Sequence, residues 1–351
     1  MKIGLLINGS LDTISGGYYY DRRLVSSLQE AGHQMQVFSI PRRSYAANLA
    51  GSRSYRLPVG LDLLLQDELA HPALIPANRR PHPYPLISLV HHLRSSEERP
   101  GWLNLCYRLV ERSYLRSLDG FIFNSRTTRQ AVQALVGDRA ASVIAYPPCD
   151  HFSPGLSQAA VTGRARQAAP LRLLFLGNVI PRKGLHTLLL AISGLPVHSV
   201  SLDVAGSLKA DPGYARRVMR QAAGLAQRAA ITFHGILADA SLQKKLEQAH
   251  VMVVPSSYEG FGIVYLEGMA FGLPAIGTSA GAASEVITPA ENGYLIRPGD
   301  AVSLAAHLMT LLVDRSLLAQ LSLNALESYR RQPPWQQTAE NINQFLLSLV
   351  I

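Results

Sequence analysis

The 351-residue sequence predicts an α/β fold built from two doubly wound parallel-sheet domains in tandem. Three observations lead there. Short apolar runs alternate with helix-length segments through both halves. A Ser-, Gly-, Ala- and Pro-rich stretch at 153–170 interrupts that alternation midway. The length exceeds what one core fills and suits two domains of ordinary size.

Residues 3–7 form a short apolar run, and 8–17 are polar and Gly-rich. Helical periodicity holds over 18–31 up to Gly32, and 35–40 reads as a second strand. Strands this close in order need a right-handed helical crossover. Residues 41–85 are less regular, with scattered Arg and Pro and apolar runs such as 61–65. A strand is expected at 85–90, ending at His91 and His92, then a helix at 102–118 and strands at 120–123 and 143–146 around another helix. After the 153–170 linker the alternation restarts. Strands are expected at 171–176, 200–205, 231–233, 251–254 and 274–277, with helices at 213–229, 241–249 and 262–271. Two or three helices close the chain over 301–350.

Composition narrows the function. Hydrophobic residues make up 48% and charged residues 16%, ample for two cores, yet no run of 18 apolar residues occurs. MKIGLLING reads as a buried first strand rather than a leader, and Cys106 and Cys149 form no C-x-x-C pair, which fits a reducing cytoplasm. The net charge of +9 divides as +5 in residues 1–150 and +4 in 151–351, without a basic run interleaved with aromatics. Nucleic acid is therefore not expected, whereas a nucleotide diphosphate or an anionic membrane surface suits a spread positive field.

Chemistry concentrates after the strand ends, where open parallel sheets bind ligands. Pro255-Ser-Ser-Tyr-Glu-Gly-Phe-Gly leads from one strand into a helix, giving E-G-F-G-I-V-Y-L-E from Glu259 to Glu267. Gly260 and Gly262 permit close backbone approach, and the helix start favours phosphate or hydroxyl oxygens. Two carboxylates on the order of 10 Å apart along a helix are natural acceptors for the hydroxyls of a sugar and a ribose. This block resembles the E-x7-E signature of family-4 (group 1) glycosyltransferases with the GT-B fold, and the match runs on through Gly268–Gly277, Gly281–Ile287 and Asn292–Asp300. The resemblance implies two Rossmann-like domains facing across a cleft. Glu259 is implied at the donor sugar and Glu267 at the ribose. Gly260, Phe261, Gly262 and Ile263 would give donor contacts, the first three through the backbone.

Gly177-Asn-Val-Ile-Pro-Arg-Lys-Gly184 is similar to that family's phosphate-binding segment, with Lys183 and Arg182 as the cations. Asn178 stands where relatives usually carry Arg. Gly16 and Gly17 resemble the glycine-pair loop after the first strand, and the His that relatives carry at the end of the 85–90 strand is matched by His91, with His92 one residue away. Asp12, Asp67 and Glu68 are candidate acceptor-side acids that the sequence does not rank. The expected domains are 1–165, with a crossover helix at about 334–351, and 166–333. The expected activity is retaining hexosyl transfer from a UDP- or GDP-sugar to a hydroxyl acceptor. No D-x-D pair or metal-ligand spacing occurs, so neither metal nor cofactor is expected. Competing readings are a non-catalytic nucleotide-sugar-binding subunit, an epimerase or a phosphorylase. Arg108, Arg112 and Arg116 recur at i, i+4 and i+8 on the 102–118 helix, with Trp102, Leu105, Leu109 and Leu115 elsewhere on it, which raises peripheral contact with the inner membrane face.

Overall fold

The computed structural model describes every residue except Ile14, Arg139, Ser153, Ala169 and Ile351. Two compact units emerge, one of Met1–Pro148 with Pro333–Ile351 and one of Cys149–Gln332. Unit 1 begins β1 (Lys2–Asn8), α1 (Gly16–Glu30), β2 (Gln34–Ile40), α2 (Tyr45–Gly51), β3 (Leu63–Asp67) and α3 (His71–Asn78). It continues with β4 (Leu86–Val90), α4 (Gly101–Leu115), β5 (Gly120–Phe123), α5 (Arg126–Val136) and β6 (Ala141–Ile144). Its six strands are all parallel in the order β2-β1-β3-β4-β5-β6.

A parallel sheet is covered on both faces, so its strands are apolar throughout and alternate residues feed two cores. Leu5, Leu63, Leu65, Ile87, Leu89 and Ile122 enter one core, while Leu6, Leu64, Leu86, Val90, Phe121 and Phe123 enter the other. β3 is the element that composition hid. Its fully buried Leu63–Asp67 lies within a segment whose Arg and Pro content reads as irregular, and α2 and α3 flank it there.

Unit 2 holds α6 (Gln158–Ala165), β7 (Leu171–Leu176), α7 (Leu185–Ser193), β8 (Val200–Ala205), α8 (Pro212–Ala223), β9 (Ala230–Gly235) and α9 (Asp239–Gln248). Then come β10 (Val251–Val253), α10 (Ile263–Ala270), β11 (Ala275–Thr278), β12 (Gly293–Ile296), α11 (Ala301–Val313) and α12 (Arg315–Arg330). This sheet is also all parallel, in the order β12-β11-β10-β7-β8-β9. The unit boundary falls at 148/149, not at 165/166. The stretch expected to be a linker contains α6, and Arg164 ties that helix into unit 2 by donating to the carbonyls of Phe271 (2.6 Å) and Gly272 (3.0 Å). Ser153 and Ala169 of that stretch lie outside the described residues.

The chain then returns to unit 1 as α13 (Trp335–Ser348), shorter than the 334–351 expected, whose Ile351 lies outside the described residues. No single helix among the described residues is long and apolar enough to cross a membrane. Trp335 fixes α13 to α1. Its ring meets Tyr20 edge-on at 5.2 Å and its Nε1 donates to Ser27 Oγ at 2.9 Å. Only 3% of Trp335 is exposed, so Trp335→Ala is expected to destabilise unit 1 by about 3–5 kcal/mol. A lowered denaturant midpoint would register it, and an unchanged midpoint would mean that α13 contributes nothing to unit 1.

Candidate functional site

In each sheet the strand order reverses once, between β1 and β3 in unit 1 and between β7 and β10 in unit 2. At such a point the loops leaving neighbouring strands diverge to opposite faces and open a crevice beyond the carboxyl ends. The residues picked out from the sequence collect at these two places.

In unit 2 the loop after β7 carries Asn178, whose carbonyl accepts from the Ile180 amide at 2.9 Å, and then a single 3-10 turn, Pro181–Lys183. Gly184 follows at φ 71°, where a Cβ would sit 2.0 Å from the Pro255 carbonyl oxygen. Only glycine lets this turn press against the loop after β10. That approach delivers Lys183 Nζ to Glu259 Oε1 at 2.6 Å. Ser256 Oγ donates to the same oxygen at 2.5 Å. Arg182 donates to the Tyr258 carbonyl at 2.8 Å, with its Nη1 3.8 Å from Glu259 Oε2. The Lys183 and Glu259 side chains are 13% and 7% exposed.

Two cations thus face one carboxylate. Burial alone would raise the Glu259 pKa, but the charges of Lys183 and Arg182 and the bonds from Lys183 and Ser256 bring it down to about 2. Burial also lowers Lys183 from its usual value, against the pull of Glu259. Above the loop start α7 and α10, whose N-caps are Gly184 and Gly262; the α10 start carries no side-chain cap, whereas in α7 the His186 amide donates to the Tyr214 hydroxyl at 3.1 Å. Gly262 has φ 101°, and a Cβ there would lie 2.5 Å from the Tyr265 ring. Phe261 is buried, Gly260 half-buried, and Ile263 opens α10. Glu267 is half-buried one turn on, and burial pushes its carboxyl above the usual range while His151 and Lys183 oppose this.

In unit 1 the switch point gathers the start of α1 with the ends of β3 and β4. Ser15 caps α1 by accepting from the Tyr18 amide at 3.3 Å, which places Gly16 and Gly17 in its first turn. A Cβ on Gly17 would meet the His91 ring at 3.4 Å, ordinary contact distance, which shows how closely that ring lies to the start of α1. His91 Nε2 pairs with Asp21 Oδ1 at 3.1 Å, its backbone amide donates to Glu68 Oε2 at 3.0 Å, and Asp67 lies beside both. His92 points elsewhere and meets Glu97 Oε1 at 3.0 Å. Burial would lower the His91 pKa, but the hydrogen bond and charge of Asp21, with the charges of Glu68 and Asp67, raise it from 6.5 to about 10. Burial, reinforced by Glu68 and Asp21, pushes the Asp67 carboxyl up.

Sequence spacing had given no metal cluster, yet folding brings ligand atoms of Asp67, Glu68 and His91 within 4.8 Å of one another. Within this group His91 Nε2 is engaged by Asp21 Oδ1 at 3.1 Å. Asp21 and Ser256 were missed because their importance lies in which side chain they meet, and neither carries a sequence pattern. Asp12 is exposed and bonds to Ser10, away from this cluster.

Residues 164–328 match the family model described as glycosyl transferases group 1. Over 70% of its length the chain is 29% identical to a GDP-mannose-dependent alpha-(1-6)-phosphatidylinositol monomannoside mannosyltransferase of Mycobacterium tuberculosis, covering 66% of that protein. The chain spans 44–66% of the lengths of the first curated relatives it matches. Among solved structures, sucrose-phosphate synthase from Thermosynechococcus elongatus superposes with a TM-score of 0.81, 22% identity and 99% coverage of both chains. HepE of Anabaena in complex with UDP-glucose gives 0.74 and 19% identity, covering 99% of this chain and 100% of that one. These likenesses define the architecture as GT-B, two Rossmann-like α/β units.

The raised His91 pKa has a consequence for pH. A group whose folded pKa exceeds its unfolded value stabilises fully below the unfolded pKa and loses that contribution as pH rises through the folded one. The stability from His91 is therefore present at pH 6 and decays between 6.5 and about 10. Thermal scans across that range are expected to show the loss in the wild type and a smaller one in Asp21→Asn. Equal slopes would mean that Asp21 does not hold the proton.

Proposed function

Because residues 164–328 match the group 1 glycosyl transferase model, we propose that the chain belongs to that family and moves a hexose from a UDP- or GDP-sugar to a hydroxyl acceptor. One observation carries the reading. At the unit 2 switch point two cations are held against a single buried carboxylate, beside the start of α10, which no side chain caps. The surplus positive charge and the uncapped start of α10 suit a nucleoside diphosphate that leaves as its bond to the sugar breaks. Ionised at neutral pH, Glu259 holds Lys183 in place and keeps Oε2 available to a sugar hydroxyl. Glu267 is assigned to the ribose, and the amides around Gly260, Phe261, Gly262 and Ile263 to the sugar and phosphates. In unit 1, His91 is assigned a hydrogen bond to a substrate hydroxyl. As a cation it donates and cannot serve as a base.

The charge needed to stabilise the leaving group comes from Lys183, Arg182 and the start of α10, so we propose transfer without metal or cofactor. Configuration is retained through front-side displacement, in which the departing phosphate accepts the acceptor's proton. Lys183→Ala is expected to cut donor turnover about 100-fold or more and to abolish stabilisation by UDP or GDP, while EDTA leaves the wild type unchanged. Turnover unaffected by Lys183→Ala would refute the phosphate assignment. Inverted product in an anomeric NMR time course would refute retention. Nucleotide-sugar binding without transfer or hydrolysis would make the chain a binding subunit.

The proposal extends to a working position at the cytoplasmic face of an anionic membrane. The apolar side chains of α4 are turned outward, with Trp102, Leu105 and Leu109 exposed by 71%, 57% and 61%, whereas Leu115 is buried. Arg108, Arg112 and Arg116 are exposed along the same helix. A groove of about 320 Å³ lined by Leu49, Ile75, Pro76, Leu109 and Val110 continues the apolar patch. Outward apolar groups flanked by arginines are the pattern of a helix lying in a lipid interface. The chain is expected to sediment with vesicles containing anionic phosphatidylglycerol and to be released by Trp102→Ala with Leu109→Ala. Sedimentation indifferent to anionic lipid would exclude this position.

A further inference from the structure

Lys183 ends a turn that leads straight into α7, so the start of that helix sets where its ammonium group lies. Backbone bonds pin the turn and the loop before it. The Gly177 amide donates to the Ala205 carbonyl at 2.9 Å, that of Val179 to Ser207 at 3.0 Å, and that of Ser257 to the Arg182 carbonyl at 2.7 Å. The Lys183 stem crosses Gly177, where a Cβ would meet its Cε at 3.3 Å.

Downstream the turn meets a difficulty. The first amides of a helix have no partner within it, and a Ser, Thr, Asp or Asn at the N-cap ordinarily supplies one. The N-cap here is Gly184, and its close approach to the Pro255 carbonyl leaves no room for a side chain. The cap comes from α8 instead. Asp211 opens that helix by accepting from the Tyr214 amide at 2.9 Å, and Tyr214, 2% exposed, turns its hydroxyl to residue 186. The oxygen accepts from the His186 amide at 3.1 Å and lies 2.8 Å from His186 Nδ1. Burial raises the phenol above its ordinary pKa, while burial and then the Arg217 charge lower that of His186. At neutral pH the phenol keeps its proton and the imidazole its lone pair. One hydroxyl thus accepts from the backbone of His186 and donates to its ring. The Arg217 guanidinium, 5.0 Å from the phenol centroid, and the His186 ring, edge-on at 5.8 Å, flank the aromatic ring.

For packing alone the ring would suffice. The hydroxyl does what a phenylalanine cannot, since it fixes the first turn of α7 and, across Gly184, the approach of Lys183 to Glu259. Being neutral, it caps the helix without bringing to the clamp the negative charge of an Asp.

We propose that Tyr214 is a positioning residue for the diphosphate end of the donor, acting on Lys183 through the start of α7. This rests on the transferase reading. The full-length chain is titrated with UDP and GDP by calorimetry, and with uridine and guanosine by saturation-transfer NMR. Tyr214→Phe, which removes only the oxygen, is expected to weaken the diphosphate that binds about 3- to 10-fold, while its nucleoside binds as in the wild type. A merely structural loss in unit 2 would weaken both alike. His186→Ala, which breaks the ring bond and keeps the amide bond, is expected to act in the same direction by less, and serves if Tyr214→Phe does not fold. Diphosphate affinity unchanged in both variants, or equal losses for diphosphate and nucleoside, would overturn the proposal. If neither UDP nor GDP binds the wild type, the transferase reading falls, and this proposal with it.

Discussion

Parallel strands cannot be joined by a tight turn. Each must return by a crossover of a dozen or more residues, and the hand of that crossover is fixed. In both units this constraint, together with one reversal of strand order, decides where chemistry is placed. β1 and β3 diverge in one sheet and β7 and β10 in the other. The polar loops that leave them are the segments whose side chains the two cores do not claim.

The two switch points are charged in opposite senses. Unit 2 sets Lys183 and Arg182 around Glu259, and unit 1 sets Asp21, Asp67 and Glu68 around His91. In each case the minority charge is the residue most strongly shifted toward its ionised form, because neighbours of opposite sign outweigh the cost of burying it. The majority groups carry that cost. Lys183 is pulled down and Asp67 pushed up. Such imbalance favours a ligand of the opposite sign in unit 2 and hydrogen-bond donors in unit 1.

What could be read in the sequence was what local rules determine. Five of the six strands of unit 2 and the helix after Glu259 follow from short apolar runs, glycine punctuation and helical period, whereas β12 (Gly293–Ile296), four residues long, was not foreseen. The charge of the loop holding Arg182 and Lys183 is equally local. β3 escaped because a five-residue strand buried on both faces has no alternation of its own, and its neighbours Arg53, Arg56 and Pro58 read as loop. The boundary at 148 escaped because α6 is short and rich in Ala and Gly. It belongs to unit 2 through Arg164 and through packing against α12, contacts more than a hundred residues away. The outward face of α4 was ambiguous for a similar reason, since a helical wheel shows two faces and only packing tells which one is covered. The same limit applies to the acids of unit 1. Glu68 gains its significance by meeting the amide of His91, and Asp21 by meeting its ring.

The return of α13 to unit 1 makes that unit discontinuous along the chain. As the polypeptide leaves the ribosome, unit 2 has all of its residues once Gln332 has emerged. Unit 1 at that moment still lacks the helix that covers Tyr20 and one face of its sheet. The apolar groove between α1 and β6 must therefore wait, open to water or shielded by a chaperone, through the synthesis of some 180 intervening residues. The first unit to begin emerging is thus among the last to be complete.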